Sequence, residues 1–155
     1  MKKNNSNLFK LALSKFATGL TVISIKSNKK FIGKTVNSFA SLSLNPPLVL
    51  FSLDKKSTSL KIYKKANYIG INILSNKQKD LSEFFAKNKP EWDNINYFLT
   101  ENNIPMIKDS VTNIDCKKIK TIVQGDHLIF ICKVNAIKIN KNEKPLIYVN
   151  SKYIL

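Results

Sequence analysis

Arginine is missing from this chain altogether: all 26 basic residues are lysine, and they face 10 acidic ones to give a formal charge of +16. So positive a balance ordinarily points to a polyanion such as nucleic acid or an anionic membrane. Reading bases and clamping phosphates bidentately relies on the planar fork of arginine, however, so its absence argues against sequence-specific nucleic-acid recognition. The lysine excess travels with abundant asparagine and isoleucine, as AT-rich codons would produce, and the charge reads chiefly as compositional drift.

Other shortages exclude further classes. One histidine, His127, rules out a multi-histidine metal site, and the two cysteines, Cys116 and Cys132, lack zinc-type spacing. They read as buried free thiols in a reducing cytoplasm. With only 4 glycines and 5 prolines against 43% hydrophobic residues, the chain is neither collagen-like nor disordered. No uncharged apolar run reaches the roughly 18 residues of a membrane-spanning helix. Lys10 and Lys15 interrupt the amino-terminal apolar stretch before it could serve as a signal peptide. The G-x-S-x-G elbow, the G-x-G-x-x-G turn and the phosphate-binding P-loop are all absent, and enzymes lacking them usually rely on a bound cofactor.

What is there fits one domain of 155 residues, with residues 1–6 expected as a flexible extension. Phe9, Leu13, Phe16 and Leu20 recur at helical spacing, predicting an amphipathic helix over 6–18 with Ser6 as cap and Gly19 as its end. Residues 19–26 and 31–44 read as extended stretches around the turn 27–30. A bend at Asn45-Pro46-Pro47 then feeds a buried strand over 48–54. A helix capped by Ser57 is expected to Lys65, with Leu60 and Tyr63 inward. A strand over 68–74 and a helix over 78–87 follow. Residues 87–105, with Pro90 and Pro105, read as the longest loop, in which Trp92 and Tyr97 either cap a pocket or form a satellite cluster. Gly125-Asp126 signals a hairpin between strands over 111–124 and 127–140, and residues 145–155 add one or two more. Six or seven strands, mostly antiparallel, favour a closed or half-closed, Greek-key-like barrel that is mainly β with short flanking helices.

Three clusters carry chemical potential. Thr35, Asn37, Ser38, Ser41 and Ser43 set donors among Val36, Phe39, Leu42 and Leu44, which suits a pocket for a flat heterocycle or a water-facing strand. Residues 54–59, DKKSTS, join lysines and hydroxyls to a helix start, where a phosphate or a simple cap would sit. Gly125-Asp126-His127 is a turn followed by the lone histidine.

Taken in order, these pieces resemble the flavin reductase family, the short-chain NAD(P)H:flavin oxidoreductases with an FMN-binding split β-barrel. The likeness runs from residue 8 to 155. It is carried by FATGLTVIS, by G-x-T-x-N-S-F-x-S-x-S-L-N-P-P-L-V-L-F-S-L from Gly33 to Leu53, and by DKKS at 54–57. N-x-L at 72–74, F-A at 85–86, I-P at 104–105, D-C at 115–116, GDH at 125–127 and PLIY at 145–148 follow in register. The resemblance implies hydride transfer from NADH or NADPH to FMN or FAD. Thr35 to Ser43, Val36 and Leu42 included, would hold the ring and ribityl chain, with Asn37, Ser38, Ser41 and Ser43 nearest. Ser57 would meet the phosphate together with Lys34 or Lys55, Phe85 and Ala86 would border the site, and His127 would face the nicotinamide. It further implies a homodimer with flavin at the interface, serving a separate flavin-dependent monooxygenase. Where several relatives carry a basic residue after F-A, often arginine, this chain has Lys87 and Lys89. The lone histidine leaves a rival reading, a split-barrel protein that holds flavin or haem without turning over NADH. A second rival is a basic surface binder of nucleic acid or lipid.

Overall fold

The computed structural model describes residues 3–87 and 91–154. Helix α1 (Lys3–Ser14) precedes strands β1 (Thr18–Gly19), β2 (Thr21–Ser27), β3 (Lys30–Val36), β4 (Ala40–Leu44) and β5 (Pro47–Asp54). Helix α2 (Leu60–Lys65), strand β6 (Tyr68–Ile73) and helix α3 (Lys79–Ala86) follow, then the short strands β7 (Tyr97–Leu99) and β8 (Pro105–Ile107). A long hairpin, β9 (Thr112–Gln124) and β10 (His127–Ile139), leads to β11 (Ile147–Val149) and β12 (Lys152–Ile154).

Seven strands form one antiparallel sheet in the order β3-β2-β6-β9-β10-β5-β4, flanked by small sheets β1-β11-β12 and β7-β8. The two edge strands, β3 and β4, are neighbours in sequence, separated by Asn37, Ser38 and Phe39 alone. Laid flat, six strand spacings would separate those edges by about 29 Å, whereas the chain from Val36 to Ala40 reaches at most about 14 Å. The sheet therefore curls until its edges approach, and since β3 and β4 exchange no ladder, the result is a half-closed barrel with a seam.

Alternation fills the barrel. Val49, Phe51 and Leu53 of β5 point inward, and Phe51 lies against Phe130 of β10 with ring centroids 4.9 Å apart. Tyr63 of α2 is fully buried beneath them and donates its hydroxyl to Ile23 O at 2.7 Å; burial pushes its ionisation far above the usual phenol range. Strand β2 is buried on both faces because Val22 and Leu20 serve a second core, under α3 and the terminal strands, with Leu74, Phe85, Trp92 and Leu146. Between the cores Asn72 of β6 has no exposure and uses both ends of its amide. Its Nδ2 donates to Val22 O (2.9 Å) and Ser24 Oγ (3.1 Å), and its Oδ1 accepts from Ile107 N (2.8 Å) and Asn113 Nδ2 (2.9 Å).

Several boundaries differ from expectation. The first helix takes in residues 3–6 of the expected extension, so Ser6 is no cap; residues 1 and 2 lie outside the described set. It ends at Ser14 because Thr18 and Gly19 are drawn into pairing with Tyr148 and Ile147. The stretch 31–44 breaks into two strands at residues 37–39, where the chain crosses the seam. Helix α2 starts at Leu60 rather than after Ser57, because Ser57 N donates to Asp54 O (2.9 Å) and closes a turn first. The expected long loop contains the β7-β8 hairpin, and Trp92 packs with Phe31, Phe85 and Tyr97 as a satellite cluster; Pro90 is outside the described residues.

Candidate functional site

Antiparallel register brings separate parts of the chain to one mouth. Because β5 pairs with β10, Asp54 stands opposite His127; because β3 ends beside the seam, Val36 and the crossing residues reach the same place. A cavity of about 370 Å³ opens there, lined by Lys34, Thr35, Val36, Asn37 and Ser38 on one side and by Ser52, Leu53, Asp54, Lys56, Ser57 and His127 on the other. That size lies within the range of about 300–1,000 Å³ typical of small-molecule sites.

Seven of the expected site residues meet in this cavity: Lys34, Thr35, Val36, Asn37, Ser38, Ser57 and His127. The others lie elsewhere. Ser41, Leu42 and Ser43 belong to edge strand β4 and do not line it. Phe85 is fully buried behind β3, so close that a Cβ on Gly33 would come within 2.5 Å of its ring. Ala86 enters only through its carbonyl, which accepts Lys34 Nζ at 3.0 Å. Lys55 turns away and donates Nζ to Gly125 O at 2.5 Å. Asp54 and Lys56, from the DKKSTS cluster, complete the wall with Ser52 and Leu53, which were not expected from sequence; the signal that would have found those two is the β5-β10 register, which places the end of β5 beside His127.

The hydroxyls divide into wall and donor groups. Thr35 Oγ1 donates to Ser82 O (2.7 Å), and Ser38 Oγ both donates to Ser52 O (2.9 Å) and accepts from Ser52 N (3.0 Å). These two pin β3 to α3 and the crossing segment to β5. Facing the cavity are the exposed Asn37 amide, the Lys56 ammonium and the Ser57 hydroxyl, which lies 3.2 Å from Ser59 Oγ. Asp54 shapes this rim by accepting Lys56 N at 2.7 Å. Helix α2 has only six residues and begins beyond Ser57, so the anion-attracting groups are the side chains rather than the helix end.

Beside Asp54, its partner in the β5-β10 ladder, His127 Nδ1 donates to Asp126 Oδ1 at 2.7 Å. That hydrogen bond, then the charge of His127 and, more weakly, Lys55, hold the Asp126 carboxyl below the usual range. An ionised carboxylate only accepts, so Nδ1 is the donor in that hydrogen bond, and in the neutral tautomer Nε2 is the acceptor. Val36 and Leu53 give the cavity its apolar wall. A planar heterocycle bearing an anionic tail matches this donor set: apolar sides for the ring, an amide for its polar edge, ammonium and hydroxyl for the tail.

Comparison with known proteins agrees with that chemistry. The family described as flavin reductase like domain matches residues 13–154. The chain is 36% identical over 130 residues to the FMN reductase (NADH) SmoA of Agrobacterium fabrum, covering 84% of this chain and 75% of that protein. It is 33% identical over 152 residues to HsaB of Mycobacterium tuberculosis, the reductase subunit of a flavin-dependent monooxygenase, covering 94% and 79%. The solved structure of the flavin reductase PheA2 superposes with a TM-score of 0.89 at 37% identity, over 99% of this chain and 97% of that one. The half-closed barrel, the cavity at its seam and these likenesses have one reading: the chain belongs to the flavin reductase family and has its split-barrel fold.

Proposed function

We propose that this flavin reductase holds FMN, or FAD, in the cavity at the barrel seam and reduces it with NADH, residues 1–155 acting as one domain. The observation that carries the assignment is the gathering around one cavity of Lys34, Lys56 and Ser57 with His127, which holds Asp126, beside the apolar Val36 and Leu53. Bound flavin supplies the hydride-accepting ring, and a nicotinamide supplies the hydride.

The protein's part is placement. Lys56 and Ser57, with Lys34, hold the flavin phosphate; Asn37 hydrogen-bonds a polar edge; Val36 and Leu53 keep water from one side of the ring. His127 orients the nicotinamide, its Nδ1 held by Asp126. Holding two partners in a reactive geometry supplies most of the acceleration for such a transfer, so no acid with a strongly displaced pKa is required.

The wider assembly follows from exposed apolar surface. Leu8, Phe9, Leu11, Leu13 and Phe16, on and just after α1, are each more than half exposed, as are Ile137 and Ile139 of β10. A surface so apolar is suited to a second copy of the chain, and a homodimer would bring the exposed β4, with Ser41, Leu42 and Ser43, to a subunit boundary. The name of HsaB supports a separate flavin-dependent monooxygenase as consumer of the reduced flavin. Cys116 and Cys132 are free buried thiols, in keeping with a cytoplasmic protein, and no helix of the described residues is long and apolar enough to cross a membrane.

The purified protein should oxidise NADH only when FMN or FAD is bound or added, followed by loss of nicotinamide absorbance. His127→Ala should slow turnover by about tenfold while FMN affinity stays within about threefold, measured by stopped-flow kinetics and flavin-fluorescence titration. Unchanged turnover would remove His127 from the reaction, and flavin-independent or absent NADH oxidation would overturn the assignment as a whole.

A further inference from the structure

Lys55 stands beside the phosphate-facing rim in sequence, yet both of its hydrogen bonds are with the turn that carries the histidine. Its backbone N–H donates to Asp126 O at 2.9 Å, its Nζ donates to Gly125 O at 2.5 Å, and it is not among the cavity-lining residues. Its neighbour Lys56 does line the cavity. Gly125-Asp126 is the two-residue link between β9 and β10, with Gly125 at φ 56°, and His127 is the first residue after it. We propose that Lys55 is a positioning residue for the hydride-transfer geometry: it straps the Gly125-Asp126 turn to the end of β5 and so fixes where His127 stands over the cavity. The two lysines of DKKS thus divide their work, Lys56 toward the ligand phosphate and Lys55 toward the nicotinamide side.

The geometry requires such a strap. A tight hairpin tip with both residues exposed has few contacts of its own, and the Asp126-His127 pair moves with it. The β5-β10 ladder ends at the Asp54-His127 pair, so beyond it, among the described residues, the hydrogen bonds that join the tip to the end of β5 come from Lys55. Two bonds from one residue, one by backbone and one by side chain, stop the tip from swinging. Removing the ammonium leaves the backbone bond intact, so the barrel stays folded while the tip loosens.

The inference rests on the role of His127 proposed above. The experiment is a kinetic cycle of Lys55→Met, His127→Ala and the double variant, with Lys55→Arg and Lys56→Met alongside, each with FMN and with riboflavin, which lacks the phosphate. Lys55→Met should lower kcat by about three- to tenfold and leave the ratio of FMN to riboflavin KM within about twofold. Lys55→Arg, still able to reach Gly125 O, should recover most of the rate, whereas Lys56→Met should raise the KM for FMN but not for riboflavin. In the His127→Ala background Lys55→Met should change kcat by less than about twofold, because the two act through one group. Additive effects, an unchanged kcat in Lys55→Met, or an FMN-specific rise in its KM would overturn the proposal. If His127→Ala is itself without effect, the His127 reading fails first. If His127→Ala is slow and Lys55→Met is not, the strap alone fails. Thermal midpoints close to that of the unaltered protein establish that each variant is folded.

Discussion

Replacing Asn72 with alanine is expected to destabilise the protein by about 3–5 kcal/mol, a large share of the 5–15 kcal/mol that usually holds a domain together. The amide stands at the junction of the two cores with no exposure, joining β2 through Val22 O and Ser24 Oγ, β8 through Ile107 N, and β9 through Asn113. Its truncation strands the Ile107 N–H, a buried donor whose partner was Asn72 Oδ1, and leaves Asn113 with a single acceptor, Ile107 O at 3.0 Å. Leucine fills the volume but satisfies neither group, so Asn72→Leu should recover only the cavity part of the loss. Urea unfolding of the two variants separates the contributions; a change below about 1 kcal/mol in both would mean that the network adds little beyond packing.

Phe130→Ala is expected to cost about 3–5 kcal/mol and to weaken flavin binding as well. Phe130 and Phe51 lie parallel in the middle of β10 and β5, both fully buried. Those strands deliver Ser52, Leu53 and Asp54 to one wall of the cavity and His127 to its rim, so a void between them relaxes that wall and with it the proposed flavin site. Thermal unfolding reports the first effect and flavin-fluorescence titration the second. Loss of stability with unaltered affinity would show that the mouth is held independently of the barrel core, chiefly by the Ser38-Ser52 bonds.

Much of this arrangement was legible because it is written in local patterns. The nearly unbroken apolar run over 48–54 marked β5 as a buried strand, Gly125-Asp126 marked the hairpin, and the amino-terminal half of the donor cluster over 33–44 and the DKKSTS cluster marked parts of the cavity wall. What escaped depended on pairing between distant strands. Nothing near Ser52 or Leu53 distinguishes them as cavity-facing until β5 lies against β10. Lys55 and Lys56 are equivalent in composition and separate only when alternate residues leaving a strand turn to opposite sides. Ser41, Leu42 and Ser43 share the polar-apolar rhythm of the cavity residues, but the seam crossing at residues 37–39 carries them to the outer edge. The first helix shows the same limit: its apolar spacing predicts a buried face, and that face is exposed.

The seam has a dynamic consequence. Elsewhere in the barrel neighbouring strands are zipped by backbone hydrogen bonds, and parting them breaks several at once. Across the seam the edges are joined covalently by three residues, and the Ser38 hydroxyl pins that crossing to β5, so opening the mouth would break the two Ser38-Ser52 bonds while each ladder stays intact. Opening of this kind involves little loss of secondary structure, and it would act at the mouth of the cavity proposed for the flavin. For a flavin held there as proposed, the rate of exchange would then depend on strand order as well as on the side chains that line the mouth.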